Sequence, residues 1–213
     1  MKRAALLALT LLAIACNDPS KDKVKAQTGE AQQALSAPSG TSLAPADASK
    51  LEIDPATSKI EWTGSKVTAS HDGGFKSFHG TIVLGGNDPE KSSVNVDIDT
   101  DSLYTEPANL VSHLKSKDFF DVEHFPKATF ASTAVKKGAE KGTHTVTGNL
   151  TLHGVTKSVT FPATIKAGTG GVDVDAEFTI NRKDFGMVYP GKADDLIRDG
   201  VVIKLAIRAH PKS

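Results

Sequence analysis

His144 to Ala163 reads HTVTGNLTLHGVTKSVTFPA, and its alternation decides the fold class. Val146, Leu150 and Leu152 fall on one parity, with Gly148 between them. Thr145, Thr147, Asn149 and Thr151 fall on the other. Beyond Gly154 the pattern resumes, with Val159, Phe161 and Ala163 against Ser158 and Thr160. A period of two carried by β-branched residues marks a half-buried strand. His153-Gly154 supplies the turn, because glycine enters positive φ without a Cβ clash. The stretch therefore predicts a hairpin with one apolar face and one wet face.

The same pattern extends outward in both directions. Leu51 and Ile53 alternate before an Asp54-Pro55 turn, and Ile60 and Trp62 alternate after it. Gly64 breaks that run, and Val67 sits on the opposite parity, as at a bulge. His71-Asp72-Gly73-Gly74 is read as a turn. Phe78, Ile82 and Leu84 form one strand and Val94, Val96 and Ile98 the next, each with polar neighbours, as antiparallel sheets have. Pro107 followed by Leu110, Val111 and Leu114 at helical spacing predicts one short helix, with Lys115 and Lys117 where the dipole favours cations. Strand character returns at Thr129–Val135. Val172–Ile180 and Val201–Ala209 complete the set, with a long loop from Asn181 to Gly200 between them. The count is about eight or nine antiparallel strands with one or two short helices. Closure into a barrel removes the sheet edges. A sandwich would present the same alternation.

Lys+Arg and Asp+Glu are 25 each, so no concentrated positive face is available for nucleic acid. One cysteine excludes an intrachain disulfide and a cysteine-based zinc site. Lys2 and Arg3 followed by apolar Ala4–Ala13 resemble an export leader, too short to span a bilayer. Ala13-Ile14-Ala15-Cys16 resembles a lipobox, in which Cys16 is acylated and becomes the new N-terminus; Leu12 lies one position further from the cysteine than usual. Residues 1–15 are thus expected to be a signal peptide. The mature protein is expected on the periplasmic face of the envelope, anchored to the membrane as a lipoprotein; a plain secretory signal cleaved after Ala15, with Cys16 incidental, is the alternative. Asn17 at the second mature position points to the outer membrane. Residues 16–49 are polar, rich in Ala, Ser and Pro and without an aromatic residue, which predicts a disordered tether with a reach of roughly 30 Å. The folded domain is expected over 50–213.

Enzymatic signatures are missing from the sequence. No H-E-x-x-H, G-x-S-x-G or G-x-x-x-x-G-K-[ST] pattern occurs, and the seven histidines are scattered. The glycine pairs fall between strands, where hairpins need them.

The segments HLKSKDFFDVE (113–123), Phe125-Pro126, Ala128-Thr129-Phe130, TVTGNLTLHGVTK (145–157) and FTINRKDFG (178–186), with Ile53-Asp54-Pro55 and Ser58, resemble the YceI-like family of exported bacterial lipid- or polyisoprenoid-binding proteins. The resemblance spans about residues 50–209. It implies an all-β fold, an extended antiparallel eight-stranded lipocalin-like barrel with one or two short helices. It further implies a long apolar tunnel holding an isoprenoid chain such as a quinone or polyprenyl tail, with no catalytic residue, metal or further cofactor. Strand parity joined to that resemblance places at the tunnel wall or mouth Trp62, Phe78, Ile82, Leu84, Val96, Ile98, Leu114, Phe119, Phe120, Phe130, Val146, Gly148, Leu150, Leu152, Val159, Phe161, Phe178, Ile180 and Phe185. Phe119 and Phe120 are read either as core that plugs the barrel end or as a gate at the tunnel mouth, the Arg182–Asp199 loop as a lid or an ordinary exposed crossover, and Gly148 as an inward position that leaves width for the ligand. Each buried CH₂ contributes roughly 0.8 kcal/mol, so an isoprene unit is worth about 4 kcal/mol gross. About five units would reach the ceiling of non-covalent affinity, which implies selection by length and width with weak reading of the head group. The expected partners are an isoprenoid or other long-chain lipid and the membrane, with an unidentified redox or lipid-handling protein beyond them. Two alternatives stay open: a filled barrel serving as an envelope interaction module, and an isoprenoid-modifying enzyme.

Overall fold

The computed structural model describes residues 18–33 and 48–212. The leader and Cys16 lie outside the described residues, as does the part of the tether from 34 to 47. Along the chain run the strands β1 (Gln27–Gly29), β2 (Ala48–Ile53), β3 (Lys59–Ser65), β4 (Ser70–Phe75), β5 (Phe78–Gly85), β6 (Asp88–Asp99) and β7 (Leu103–Thr105). The helix α1 (Ala108–Lys115) follows, then β8 (Lys127–Lys137), β9 (Thr143–Leu152), β10 (Val155–Gly168), β11 (Gly171–Asn181), β12 (Gly191–Lys192), β13 (Asp195–Leu196) and β14 (Gly200–Pro211).

Eight strands close into an antiparallel barrel in the order β2-β5-β6-β8-β9-β10-β11-β14, with β14 returning to β2. The β9–β10 hairpin keeps the register its alternation demands: Val146 faces Phe161 and Gly148 faces Val159 across the pair. His153 and Gly154 both take positive φ at the turn, 51° and 73°.

Part of the wall is built from broken strands. β14 pairs with β2 through Ala209–Pro211 and with β3 through Val202–Ala206. β2 and β3 therefore occupy one wall position, interrupted where Asp54 caps a turn by accepting from the Ala56 amide and the Thr57 hydroxyl. β4 and β7 extend the wall from β3 at the same end. His71–Gly74, read from sequence as a turn, lies inside β4. The glycines are there for closeness, not for turning: a Cβ on Gly73 would stand 2.7 Å from Cε2 of Trp62 and 2.5 Å from the Tyr104 carbonyl oxygen.

Residues 18–33 depart from the disorder expected of the whole 16–49 stretch. β10 and β11 pair only between Thr164–Gly168 and Gly171–Asp175, then part. The N-terminal segment lies in the opening. β1 pairs with Ser158–Thr160 of β10, while on the other side the Ala26 amide donates to the Thr179 carbonyl and the Thr179 amide to that of Val24, both at 2.8 Å. Unpaired strand edges need hydrogen-bond partners, and a polar segment with free amides can supply them without contributing to a core. Only Ala26 of this segment packs on the main apolar cluster.

Candidate functional site: the hollow of the barrel

The inward residues of the barrel do not fill it. A cavity of about 670 Å³ runs through the interior, within the range of roughly 300–1,000 Å³ typical of ligand sites. Its wall is aliphatic and aromatic over most of its length. Phe130, Leu150, Val174, Ile203 and Leu205 line it and are only partly buried, although their parity turns them inward. Their remaining open surface faces the hollow. A filled core would have covered it at ordinary packing density.

Of the side chains expected at the tunnel, Trp62, Ile82, Leu84, Val96, Ile98, Leu114, Phe119, Phe120, Phe130, Val146, Leu150, Leu152, Val159, Phe161, Phe178 and Ile180 stand on the cavity wall. Phe78, Gly148 and Phe185 do not. Phe78 is buried in the main apolar cluster where β5 begins. Phe185 is wholly buried in the 3-10 turn Arg182–Phe185, with its carbonyl oxygen 3.2 Å from His153 Nδ1. The space above Gly148 belongs to Phe130: a Cβ there would lie 2.6 Å from Cε2 of that ring and 2.7 Å from the Ala131 carbonyl oxygen. Gly148 thus admits a neighbouring side chain, not extra width for a ligand. Inside the wall Phe161 and Phe178 stack with centroids 4.1 Å apart, bridging β10 and β11.

One end of the cavity is different. Lys66, His71, His113, Arg182, Tyr189, Lys192, Asp195 and Arg198 line it there, and they are the titratable side chains of the cavity wall among the described residues. Three segments meet at this mouth. The β3–β4 turn is tied to the 187–199 loop by the Arg198 amide donating to the Ser65 carbonyl (2.9 Å) and by the ion pair of Lys66 with Asp195. Helix α1 meets the loop where Tyr189 packs edge-on against His113 and Phe119, with centroids 5.0 and 5.7 Å away. His71 reaches the Glu106 carbonyl at 3.1 Å, joining β4 to the approach of α1. Phe119 joins Trp62, Leu103 and Leu114 in a separate apolar cluster beneath the mouth, and Phe120 packs edge-on against Phe75.

The loop owes its shape to Arg182, which is 3% exposed. Its guanidinium donates to the carbonyls of Met187, Ile197 and Arg198 and to Asp199. Burial pushes this guanidinium below its usual value, while the Asp199 carboxylate pulls the other way. The mouth residues were not identified from sequence, apart from Phe119, Phe120, Trp62 and the loop as a lid. Their positions in the chain give no period, and only the packing brings them together.

Residues 51–209 match the YceI-like domain. The chain belongs to the YceI-like family. A UPF0312 protein of Pseudomonas putida strain W619 is similar to it, 42% identical over 149 residues, covering 67% of this chain and 77% of that protein. Among solved structures, BcnA of Burkholderia cenocepacia superposes with a TM-score of 0.66 at 27% identity, covering 73% of this chain and 98% of that one. A polyisoprenoid binding domain from Saccharophagus degradans, implicated in plant cell wall breakdown, shares the fold with a TM-score of 0.63 at 16% identity, over 76% and 98% of the two chains. The fold is thus shared with these two solved structures, while the packed 18–33 segment precedes the matched residues of this chain.

Proposed function

We propose that this protein binds a long, apolar molecule of polyisoprenoid type lengthwise in its barrel and carries or buffers it in the cell envelope. The observation that carries the proposal is the hollow: inward Phe130, Leu150, Val174, Ile203 and Leu205 keep open surface inside a closed wall. Burial of a tail against them is favourable by roughly 25 cal/mol per Å². Membership of the YceI-like family and the description of the S. degradans neighbour as a polyisoprenoid binding domain support the same class of ligand. The leader-like sequence of residues 1–15 before Cys16 supports a periplasmic, lipid-anchored location. The role is one of binding and release, because the titratable groups of the wall gather at the mouth and the rest of the tunnel offers apolar contact.

Native mass spectrometry of protein purified without detergent tests this directly. A co-purifying apolar adduct, or stoichiometric uptake of a quinone or polyprenol on titration, is expected. Protein that is always free of ligand and takes up neither molecule would overturn the carrier role and leave a structural barrel.

A further inference from the structure

The rim of the mouth is apolar where a rim facing water would be polar. Among the described residues the exposed large hydrophobic side chains are Val24, Val67, Val188 and Leu196. Three of them stand on the rim, each beside residues that line the cavity: Val67 follows Lys66, Val188 lies between Met187 and Tyr189, and Leu196 lies between Asp195 and Ile197. They are 47%, 64% and 50% exposed. The Val67 amide donates to the Leu196 carbonyl at 3.1 Å, which holds two of the three together. Val24 is at the same end, its carbonyl accepting from Thr179 two residues before β11 stops at Asn181. The other end of the barrel differs. There the β8–β9 turn lies beside the end of β10, with the Ile165 amide donating to the Gly142 carbonyl, and it exposes Lys137, Glu140 and Lys141. Single apolar side chains scattered over a surface need no explanation, but a set gathered round one opening marks an interaction site.

The direction of the N-terminal chain identifies what covers this rim. Asp18 is fastened at the mouth, its carboxylate 3.4 Å from Nη1 of Arg198. Ser20 is buried against the start of β14, where a Cβ on Gly200 would stand 2.7 Å from its Oγ. Cys16 precedes Asp18 by two residues, a span of at most about 7 Å. An acyl group on Cys16 therefore enters a membrane close to the mouth, in place of the roughly 30 Å of slack expected from a free tether. The charges of the rim are paired or mixed: Lys66 with Asp195, Arg198 with Asp18, and exposed Lys192 close in sequence to exposed Asp194. The contact is thus apolar and does not depend on anionic lipid. We propose that Val67, Val188 and Leu196 dock the mouth of the barrel on the same membrane surface that holds acylated Cys16, so that an apolar ligand passes between bilayer and tunnel without crossing water. The inference rests on the lipid-anchored carrier role and adds the orientation of the barrel to it.

The mature acylated protein in phosphatidylcholine vesicles tests this, with an environment-sensitive fluorophore on one introduced cysteine. Cys16 is the only native cysteine, and its sulfur is taken up by the acyl link. Labels at Val188→Cys and Leu196→Cys are expected to shift to the blue and to be quenched several-fold more by a nitroxide on the lipid tails than a label at Lys141→Cys, with little change when phosphatidylglycerol is added. Val188→Asp combined with Leu196→Asp alters only exposed side chains. It is expected to slow loading of a quinone carried in the same vesicles several-fold, while the final loading read by native mass spectrometry stays the same. Equal quenching at positions 188 and 141 would show a barrel hanging free on its anchor and overturn the docking, as would a mature protein whose mass shows Cys16 unacylated. A blue shift without lipid quenching, together with a dimer mass, would make the rim a contact between two copies and overturn the membrane assignment. Quenching at position 188 with no quinone loaded would remove the carrier role and leave the docked barrel.

Discussion

Gly148 and Arg182 illustrate how single residues shape the hollow. Gly148 lets the far edge of the Phe130 ring approach the β9 backbone, and a larger side chain there must push both the ring and the Ala131 carbonyl. Gly148→Leu is expected to destabilise the barrel by about 1–3 kcal/mol, read as a lower urea midpoint. Adding Phe130→Ala should recover part of that loss. Strict additivity of the two changes would mean that the ring is not the obstruction. Arg182 organises the mouth from beneath. Arg182→Met keeps the length and removes every donor, leaving the carbonyls of Met187, Ile197 and Arg198 short of partners. A loss of about 3 kcal/mol is expected, accompanied by new proteolytic cleavage between Met187 and Arg198. An uncleaved loop in this variant would show that its shape comes from elsewhere.

Two elements are held to the barrel by polar contacts with little apolar burial, and both should open locally before the barrel unfolds. The 18–33 segment fills the gap between β10 and β11 through backbone hydrogen bonds. Ala26→Pro deletes the amide that reaches the Thr179 carbonyl, at a cost of roughly 0.5–1.5 kcal/mol. Hydrogen exchange at the Thr179 amide should accelerate while that of the β11–β14 core stays slow. The second element is the β12–β13 tip, which Asp195 ties to the β3–β4 turn. The hydrogen bond from Lys66, joined by two from Thr68 and outweighing the upward push of burial, holds the Asp195 carboxyl below the usual carboxylate range. A lowered carboxyl contributes stability that is present above its unfolded value of about 4 and is lost as pH falls through the folded value. Protection of the tip from exchange should therefore be flat from neutral pH down to about pH 4 and decline below it. In Asp195→Asn it should be low throughout. A tip in the unaltered protein that loosens on raising the pH from 5 to 7 would contradict this sign.

For the whole molecule, the hollow is the property that makes binding possible. Val174 lies on the cavity wall, away from the mouth, where it pairs with Ile165 and Ile207. Val174→Trp should fill part of the tunnel and lower uptake of a polyprenol at least about tenfold while the barrel still folds. Undiminished uptake would place the ligand outside the barrel. Much of this architecture was legible in the chain. Alternation across Val146–Leu152 and Val159–Ala163 set the apolar face of the hairpin. The same period in β5, β6 and β11 identified most of the rest of the wall, because side-chain direction in a strand is a local property of the backbone. Ile203 and Leu205 carried that signal too, although they were not among the residues first assigned to the tunnel. Other features were not local. Gly73 looks like a turn residue until Trp62 and Tyr104 are seen against it. Residues 18–33 look disordered because their composition lacks a core-forming face, yet the edges of β10 and β11 give their amides partners. Sequence alone determined the eight strands of the barrel, their inward faces and the family. Only the tertiary structure decided that the closed wall stays hollow, and that Ser65, His113, Tyr189 and Arg198 meet at one mouth, because enclosed volume and convergence of distant segments depend on how the strands close and not on any period within them.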